Sequence, residues 1–384
     1  MSGGITQLVA TGVQDAYLSG NPEVSFFRSS YKRYTHFASC VERQLIQGTP
    51  VAGGTSLVRF EKKGDLLSHV YLSVHNTVIN LANPNEDWST IIDKVELLIG
   101  GQVIDTHDYA WSATIEPVVG AASFSSRDFT ENPQNGFYPL KFFFCKDWQS
   151  ALPLVALQYH DVELRITWAS TNFSLASTEA VICWSRFIYL DKDEREFFAK
   201  KSHDVLITQV NRAVITNTST YEFSLSQPVK YIAFESNNYT SVYNTGGAGT
   251  GAANCANLQF KMQINGNDIG ETQSLFHWAD INQYYLTPFG YKPFTGSTVT
   301  ANVAIVPFCL DTSKLQPTGT LNFSRIDTFR LITPSTSRFS LIQKDPTILP
   351  SGSSTTTPLT RYFYAVNYNI LRIQNGMAGI LYAS

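Results

Sequence analysis

Apolar and polar residues alternate along most of this chain, and the alternation centres on a stretch that occurs twice. Lys94–Asp105, KVELLIGGQVID, and Phe260–Gly270, FKMQINGNDIG, are each an apolar run, a two-residue turn and a second short run. This predicts two tight β-hairpins turning at Gly100–Gly101 and Asn265–Gly266, because the turn that matches strand twist needs φ > 0 at its central residues. Period-two runs predict further strands at 57–61, 69–74, 141–144, 162–168 and 181–190, then at 221–225, 229–235, 302–308 and 362–373. Clusters of Gly, Pro, Asn and Ser separate them, as in a sandwich or barrel. Two segments break the period. Ile5, Leu8, Val9, Val13, Ala16 and Tyr17 recur at helical spacing before a stop at Gly20 and Pro22, predicting one short amphipathic helix weakened at Gly12. Asp191–Lys201, DKDEREFFAKK, places acids first and lysines last, which suits the helix dipole and predicts a helix closing the first half.

The two hairpins are 165 residues apart at Ile99 and Ile264, and other marks recur near that offset. Trp111 matches Trp278, Phe144–Asp147 matches Phe308–Asp311, Leu157–Tyr159 matches Leu321–Phe323, and Val162–Glu163 matches Ile326–Asp327. Repeat architectures built from small units have periods of roughly 20–50 residues, so this is a whole domain used twice. The expected organisation is an arm at 1–24, a first domain at 25–203 and a second at 204–384. Three stretches, Gly120–Gly136, Ser236–Asn257 and Pro350–Pro358, read as long surface loops.

Composition narrows the class. Only 15% of the 384 residues are charged and 13% are aromatic, which favours a densely packed β protein with extensive contact surfaces. A net charge of −3 gives no general attraction to nucleic acid. Five cysteines without a CxxC pair argue against a zinc ribbon or a disulfide framework and are expected to be buried free thiols. No apolar run has the length of a membrane span, and the N-terminus lacks the pattern of a signal peptide.

No catalytic or cofactor constellation emerges. Gly247–Ala252 fits G-x-G-x-x-A, but no helix pattern follows it, so it reads as a loop and not a phosphate cradle. His36, His69, His75, His107, His160, His203 and His277 are scattered, without HExxH or the metal cluster of a cupin-like enzyme. GxSxG is absent. Asp191, Asp193, Glu194 and Glu196 interleave with Lys192 and Arg195 and read as a solvated helix face. The basic and aromatic stretch 26–37 could stack bases, but on an acidic chain a subunit contact is the better reading. Sequons at Asn172, Asn217, Asn238 and Asn322 are candidate glycosylation sites, with Asn238 in an expected loop and Asn322 in an expected strand.

Several stretches resemble the major capsid proteins of nucleocytoplasmic large DNA viruses. They are Ser2–Ala10, Gly20–Phe27 and Tyr31–Ala38 near the N-terminus, then Gly64–Leu72 and Leu152–Leu164, LPLVALQYHDVEL. Gly319–Asp327, GTLNFSRID, with Ala365–Ile373 and Asn375–Gly379, are similar to the marks of the family's second domain and C-terminus. The resemblance implies an all-β double jelly roll: two tandem eight-stranded jelly rolls with short helices at the N-terminus and between the domains. It implies a homotrimeric, pseudo-hexagonal capsomer of an icosahedral shell around an internal membrane, with minor capsid proteins beneath. The missing constellations give the expectation of no cofactor, no metal and no enzymatic activity, and the net charge that of no specific nucleic acid; the resemblance implies a virion protein assembled in the host cytoplasm. The loops after residues 120 and 236 are short or simple for outward-facing towers, which leaves a minor capsid or scaffold paralogue of the same fold as an alternative. A jelly-roll carbohydrate-binding protein is a further alternative, disfavoured by Gly/Ser/Thr-rich loops.

The apolar stripe at the N-terminus needs a surface, because a helix of about 13 residues is marginal alone in water. The expected surface is a protein partner beneath the shell. A chain starting at Val24 is therefore expected to fold and trimerise but to build shells poorly, as read by chromatography and by microscopy of particles. Normal shells from the truncated chain would remove that role, and an unfolded product would assign the helix to the subunit's own core.

Overall fold

The computed structural model describes residues 3–10, 12–74, 88, 91–120, 137–169, 181–215, 220–236, 259–274, 277–287, 302–333 and 361–382. The expected loops at 120–136, 236–257 and 350–358, and the Gly247–Ala252 stretch, lie almost wholly outside the described residues.

Strand formation follows the alternation directly. In Val162–Trp168, Val162, Leu164, Ile166 and Trp168 are buried, while Glu163, Arg165 and Thr167 lie on the other face. The first half contributes β1 (Phe37–Gln44), β2 (Thr55–Arg59), β3 (Leu66–Val74), β4 (Ile92–Ile99), β5 (Gln102–Asp108), β6 (Phe137–Pro139), β7 (Val162–Trp168) and β8 (Val181–Leu190). They pair antiparallel in two sheets, β1-β8-β3-β6 and β2-β7-β4-β5. The second half contributes β9 (His203–Ile215), β10 (Thr220–Phe223), β11 (Pro228–Ser236), β12 (Gln259–Ile264), β13 (Asn267–Ser274), β14 (Asn302–Pro307), β15 (Phe329–Ile332) and β16 (Arg361–Gln374). Their sheets are β9-β16-β11-β14 and β10-β15-β12-β13. Counted within each half, both orders are 1-8-3-6 and 2-7-4-5. Each half is a jelly roll, and the chain is a double jelly roll. Leu97, Leu164, Leu72 and Phe187 from opposing sheets meet in the first core, and Phe234, Phe260, Phe329 and Phe363 in the second.

At the hairpin turns Gly100 and Gly101 have φ of 58° and 81°, and Asn265 and Gly266 have φ of 48° and 82°. A third such turn, Asn375–Gly376, joins β16 to the short strand Met377–Ile380. The Asn265 side chain also caps its neighbour, its Oδ1 accepting from the amides of Asp327 and Thr328 at 2.9 and 3.0 Å.

The repeat is real in topology, but its sequence offset is not constant. Tyr71 pairs with Pro139 and Trp184 as Tyr231 pairs with Pro307 and Val366, so Tyr71 corresponds to Tyr231. The Leu140 amide bonds the Val70 carbonyl as Phe308 bonds Lys230, so Phe308 stands level with Leu140 and not with Phe144. Leu152 and Leu321 occupy matching two-residue strands, so Leu157 is level with Ile326 and not with Leu321. Val162 faces Ile99 as Phe329 faces Ile264, which displaces the match of Val162 to Ile326. Loops of unequal length shift the offset while hydrogen bonding holds the strand register.

Two further expectations change. Residues 141–144 are not a strand: Phe143–Lys146 is a single helical turn. Phe142, Phe143 and Phe144 are all buried, and an alternating strand would have turned one of these rings away from the core. The arm is not one helix but Gly3–Val9 followed by a turn at Val13–Asp15 and Ala16–Ser19. Gly12 is extended, and its amide donates to Asp15 Oδ2 at 2.9 Å, so the weak point becomes the start of the second piece. Contacts divide the chain into Met1–His36 and Phe37–Ser384. The helix after β8 is Lys192–Lys200, with the Asp191 carboxylate accepting from the Lys192 amide at 2.8 Å. Arg195 pairs with Asp65 at 2.9 Å, which fastens that helix to the first roll. Cys145, Cys183 and Cys309 are buried free thiols and Cys40 is exposed on the edge strand β1; Cys255 is outside the described residues. Burial pushes the Cys145 thiol up to about 12.

Gly101→Val and Gly266→Val are expected to cost about 1–3 kcal/mol each, because a β-branched residue is strained at these angles although open space surrounds both. Gly100→Ala should cost more than Gly101→Ala, since its added Cβ collides with the His160 ring. Thermal melts of the variants check both statements, and parent-like melting of the two valine variants removes the role given to the turns.

Candidate assembly interface

The resemblance implies a subunit that works through its surfaces, so the site to build is where one jelly roll meets another. The chain holds one such junction inside itself. After β5 the chain forms one wide helical turn, Trp111–Ile115, and then a helix, Glu116–Val119. Trp111, Ile115 and Val119 recur every fourth residue and so share one face. That face lies on the outer side of the second roll's sheet, against Tyr231, Ala233, Val303, Ile305, Tyr364 and Val366. All of these sheet residues are buried, so both faces of that sheet are covered. Fully burying side chains of this size contributes about 1.5–3 kcal/mol each, which makes the junction a third core beside those of the two rolls.

Polar groups fix its register. Asp108 at the end of β5 is buried; its Oδ1 accepts from the Trp111 amide at 2.8 Å, and its Oδ2 from the Tyr364 hydroxyl at 2.7 Å and Arg212 Nη1 at 3.2 Å. Burial and the neighbouring carboxylate raise the Tyr364 hydroxyl far above its ordinary range, so it stays a donor. Asp105 Oδ1 accepts from the Val210 amide at 2.9 Å, and its other oxygen meets His107 Nε2 at 2.9 Å. The His107 ring stacks on Phe142 at 4.6 Å. Gln209 donates to the Ile104 carbonyl. β9 is the edge strand of its sheet, and these contacts from β5 cover its open edge. Glu116 and Lys141 form a buried pair at 3.0 Å beside the same helix.

Two more contacts tie the rolls together. The Tyr159 amide donates to the Gly376 carbonyl at 2.9 Å, and His160 Nδ1 lies 3.0 Å from the Ala378 carbonyl oxygen and 3.2 Å from its amide. The third turn thus grips the loop that precedes β7. A cavity of about 220 Å³ also lies between the rolls, lined by Glu116, Lys146, Lys230 and Thr312 among others. Lys230 Nζ donates to the carbonyls of Thr312 and Lys314 at 2.8 and 2.6 Å, and burial pulls its ammonium down to about 8.

Gly100 and Gly101 lie beside this junction, where Gly100 abuts His160. Asn265 and Gly266 lie at the equivalent hairpin of the second roll. Asn322 is exposed at the end of a two-residue strand, its Oδ1 accepting from the amide and hydroxyl of Ser324 at 3.1 and 2.7 Å. Asn172, Asn217 and Asn238 lie outside the described residues. Among the described residues no group of three His, Cys, Asp or Glu could hold a metal ion, and no helix is long and apolar enough to cross a membrane. Sequence reasoning missed Asp108, Arg212 and Tyr364. The only signal was Trp111, read as a mark of the repeat and not as a contact.

Two family models divide the chain between them. The model for the major capsid protein N-terminus matches residues 25–198, and that for the large eukaryotic DNA virus major capsid protein matches residues 194–379. The major capsid protein of Paramecium bursaria Chlorella virus 1 is 32% identical, with the whole of both chains covered. This chain belongs to the major capsid protein family of large eukaryotic DNA viruses. The major capsid protein of Pyramimonas orientalis virus is 30% identical, again over the whole of both chains. Among solved structures, the quasi-atomic model of the PBCV-1 virus capsid superposes with a TM-score of 0.69 at 27% identity, covering 94% of this chain and all of that one. The Faustovirus major capsid protein shares the fold, with a TM-score of 0.59 at 11% identity, covering 95% of this chain and 94% of that one.

Asp108→Ala is expected to destabilise the protein by about 3 kcal/mol, because it strands the Tyr364 hydroxyl and the Trp111 amide and leaves Arg212 without its carboxylate. Tyr364→Phe should cost about 1.5–3 kcal/mol, the range for a hydrogen bond to a charged group. Denaturant unfolding checks both, and parent-like stability of the pair would show that the carboxylate does not hold the junction.

Proposed function

We propose that this chain is the structural major capsid protein of a large DNA virus, and that it works as a homotrimer. Three copies contribute six jelly rolls to a pseudo-hexagonal capsomer, and capsomers tile an icosahedral shell. The arm is residues 1–24, and the building blocks are residues 25–203 and 204–384. The observation that carries this reading is the shared strand order of the two rolls together with their buried junction. One gene product thereby presents two near-equivalent blocks in a fixed relation, which is what a trimer needs to approximate a hexagon. No chemistry is required of the subunit, and its role is geometric. Minor capsid proteins beneath the shell, an underlying membrane and assembly in the host cytoplasm complete the proposal, supported by the family resemblance.

Light scattering at micromolar concentration is expected to give three times the chain mass, and electron microscopy pseudo-hexagonal blocks. A stable monomer under those conditions would overturn the trimer. Major capsid status is read separately by mass spectrometry of purified virions, where this chain should be the most abundant protein; a minor share would favour the paralogue reading.

A further inference from the structure

Lys230 departs from the repeat. The Phe308 amide donates to its carbonyl as the Leu140 amide donates to that of Val70, so Lys230 stands where the first roll has Val70. Val70 is a core residue. At Lys230 the pairing of β11 with β16 slips: Val229 faces Asn367 and Tyr231 faces Val366, which leaves Lys230 as the extra residue of a β-bulge. A bulge re-aims the side chain it carries. This one places the Lys230 ammonium 5.6 Å from the centre of the Tyr368 ring, in the wall of the cavity between the rolls. Lys230 is only 3% exposed. Its Nζ donates two of its three N–H groups to the carbonyls of Thr312 and Lys314, and among the described residues it forms no ion pair. That is costly, because a buried charge is poorly solvated unless an opposite charge compensates it.

The opposite wall carries a second such cation. Lys146 ends the helical turn that buries Phe143, Phe144 and Cys145, and it lines the cavity from the first roll. It too forms no ion pair among the described residues. Thr208 on β9 is buried in the same wall as Lys230, and its hydroxyl has no hydrogen bond among the described residues. The surrounding acids are mostly engaged. Glu116 pairs with Lys141 at 3.0 Å and Asp311 with Lys314 at 3.5 Å. Asp147 is exposed and pairs with neither Lys146 nor Lys230. Burial pushes the Cys309 thiol up, and the Tyr368 hydroxyl up to about 12, so both are neutral. The cavity, at about 220 Å³, is smaller than the roughly 300–1,000 Å³ of sites for drug-sized molecules and larger than the roughly 30 Å³ of one water.

We propose that this cavity binds a small tetrahedral oxyanion, sulfate or inorganic phosphate, between Lys146 of the first roll and Lys230 and Thr208 of the second. The anion accepts the third Lys230 N–H and the Thr208 hydroxyl, and its charge balances Lys146. It is a second polar pin across the junction, taken up from solution, where Asp108 is one built into the chain. The site lies within a single chain, so it stands or falls separately from the trimer.

The test titrates the full chain with sodium sulfate in a chloride buffer at constant ionic strength, read by isothermal calorimetry and by thermal melting. One saturable site per chain is expected, with a melting temperature that rises with sulfate. Lys146→Ala and Thr208→Val should each weaken binding at least about tenfold, the loss of one charge-assisted contact, while melting like the parent in chloride alone. Lys230→Met should abolish binding; if it also lowers the melting temperature in chloride, the other two variants decide. The pH profile gives a further reading. Burial, with Lys146 nearby, pulls the Lys230 ammonium down to about 8, and a bound anion raises it again. Sulfate affinity should therefore fall above pH 8, by up to about tenfold per pH unit, although sulfate keeps its charge. Inorganic phosphate should compete with sulfate and adenosine monophosphate should not, because the cavity has room for the ion and not for a nucleoside. Competition by the monophosphate overturns the assignment to a free ion. Absence of saturable sulfate binding, or binding that Lys146→Ala and Thr208→Val leave unchanged, overturns the site.

Discussion

A buried carboxylate must be fully paired, and Asp108 achieves this only when the two jelly rolls sit in one relation. Its partners are the Trp111 amide on its own segment and the Tyr364 hydroxyl and Arg212 guanidinium on the other roll. Sliding the rolls past one another would strand the buried Asp108 carboxylate and the buried Tyr364 hydroxyl in a medium that does not hydrate them. Apolar burial of Trp111, Ile115 and Val119 supplies the attraction, and the carboxylate supplies the position. A capsid subunit needs that rigidity, because small errors in the angle between its two rolls accumulate across a shell.

The turns serve the same end on a smaller scale. Gly100 leaves room for the His160 ring, and His160 in turn contacts the backbone of Ala378 in the C-terminal hairpin. Gly376 similarly leaves room for Tyr159. Two glycines in left-handed turns, one from each roll, therefore admit two adjacent aromatic side chains of the loop before β7. This gives a physical reason for the company kept by the LQYHD stretch and the NGMAG stretch, which are more than 200 residues apart in sequence and adjacent in the fold.

Legibility in the sequence tracked how local the cause was. The alternation in Val162–Trp168 specifies a half-buried strand by itself. Gly-Gly and Asn-Gly specify their turns, and the acid-to-lysine gradient of Asp191–Lys201 specifies a helix with an Asp cap. The Phe142–Phe144 run was misread because three consecutive apolar residues do not reveal whether one face or several are buried. The repeat marks near Phe308 and Leu321 were misaligned because chance identity outweighed register that only hydrogen bonding reveals.

By itself the sequence determined the all-β class, the doubling of the domain, the sites of the tight turns and the family. Each of these is set by residue type and spacing along the chain. Tertiary structure alone decided where Asp108 finds its partners, which sheet face is covered and which stands open. Those properties join β5 to β9 and β16 across 104 and 256 residues of chain, and they depend on how the surfaces of the two rolls meet. Nothing in the local pattern distinguishes Tyr71 from Tyr231: both are outward residues on matching strands, and only the segment lying on one of them makes it core.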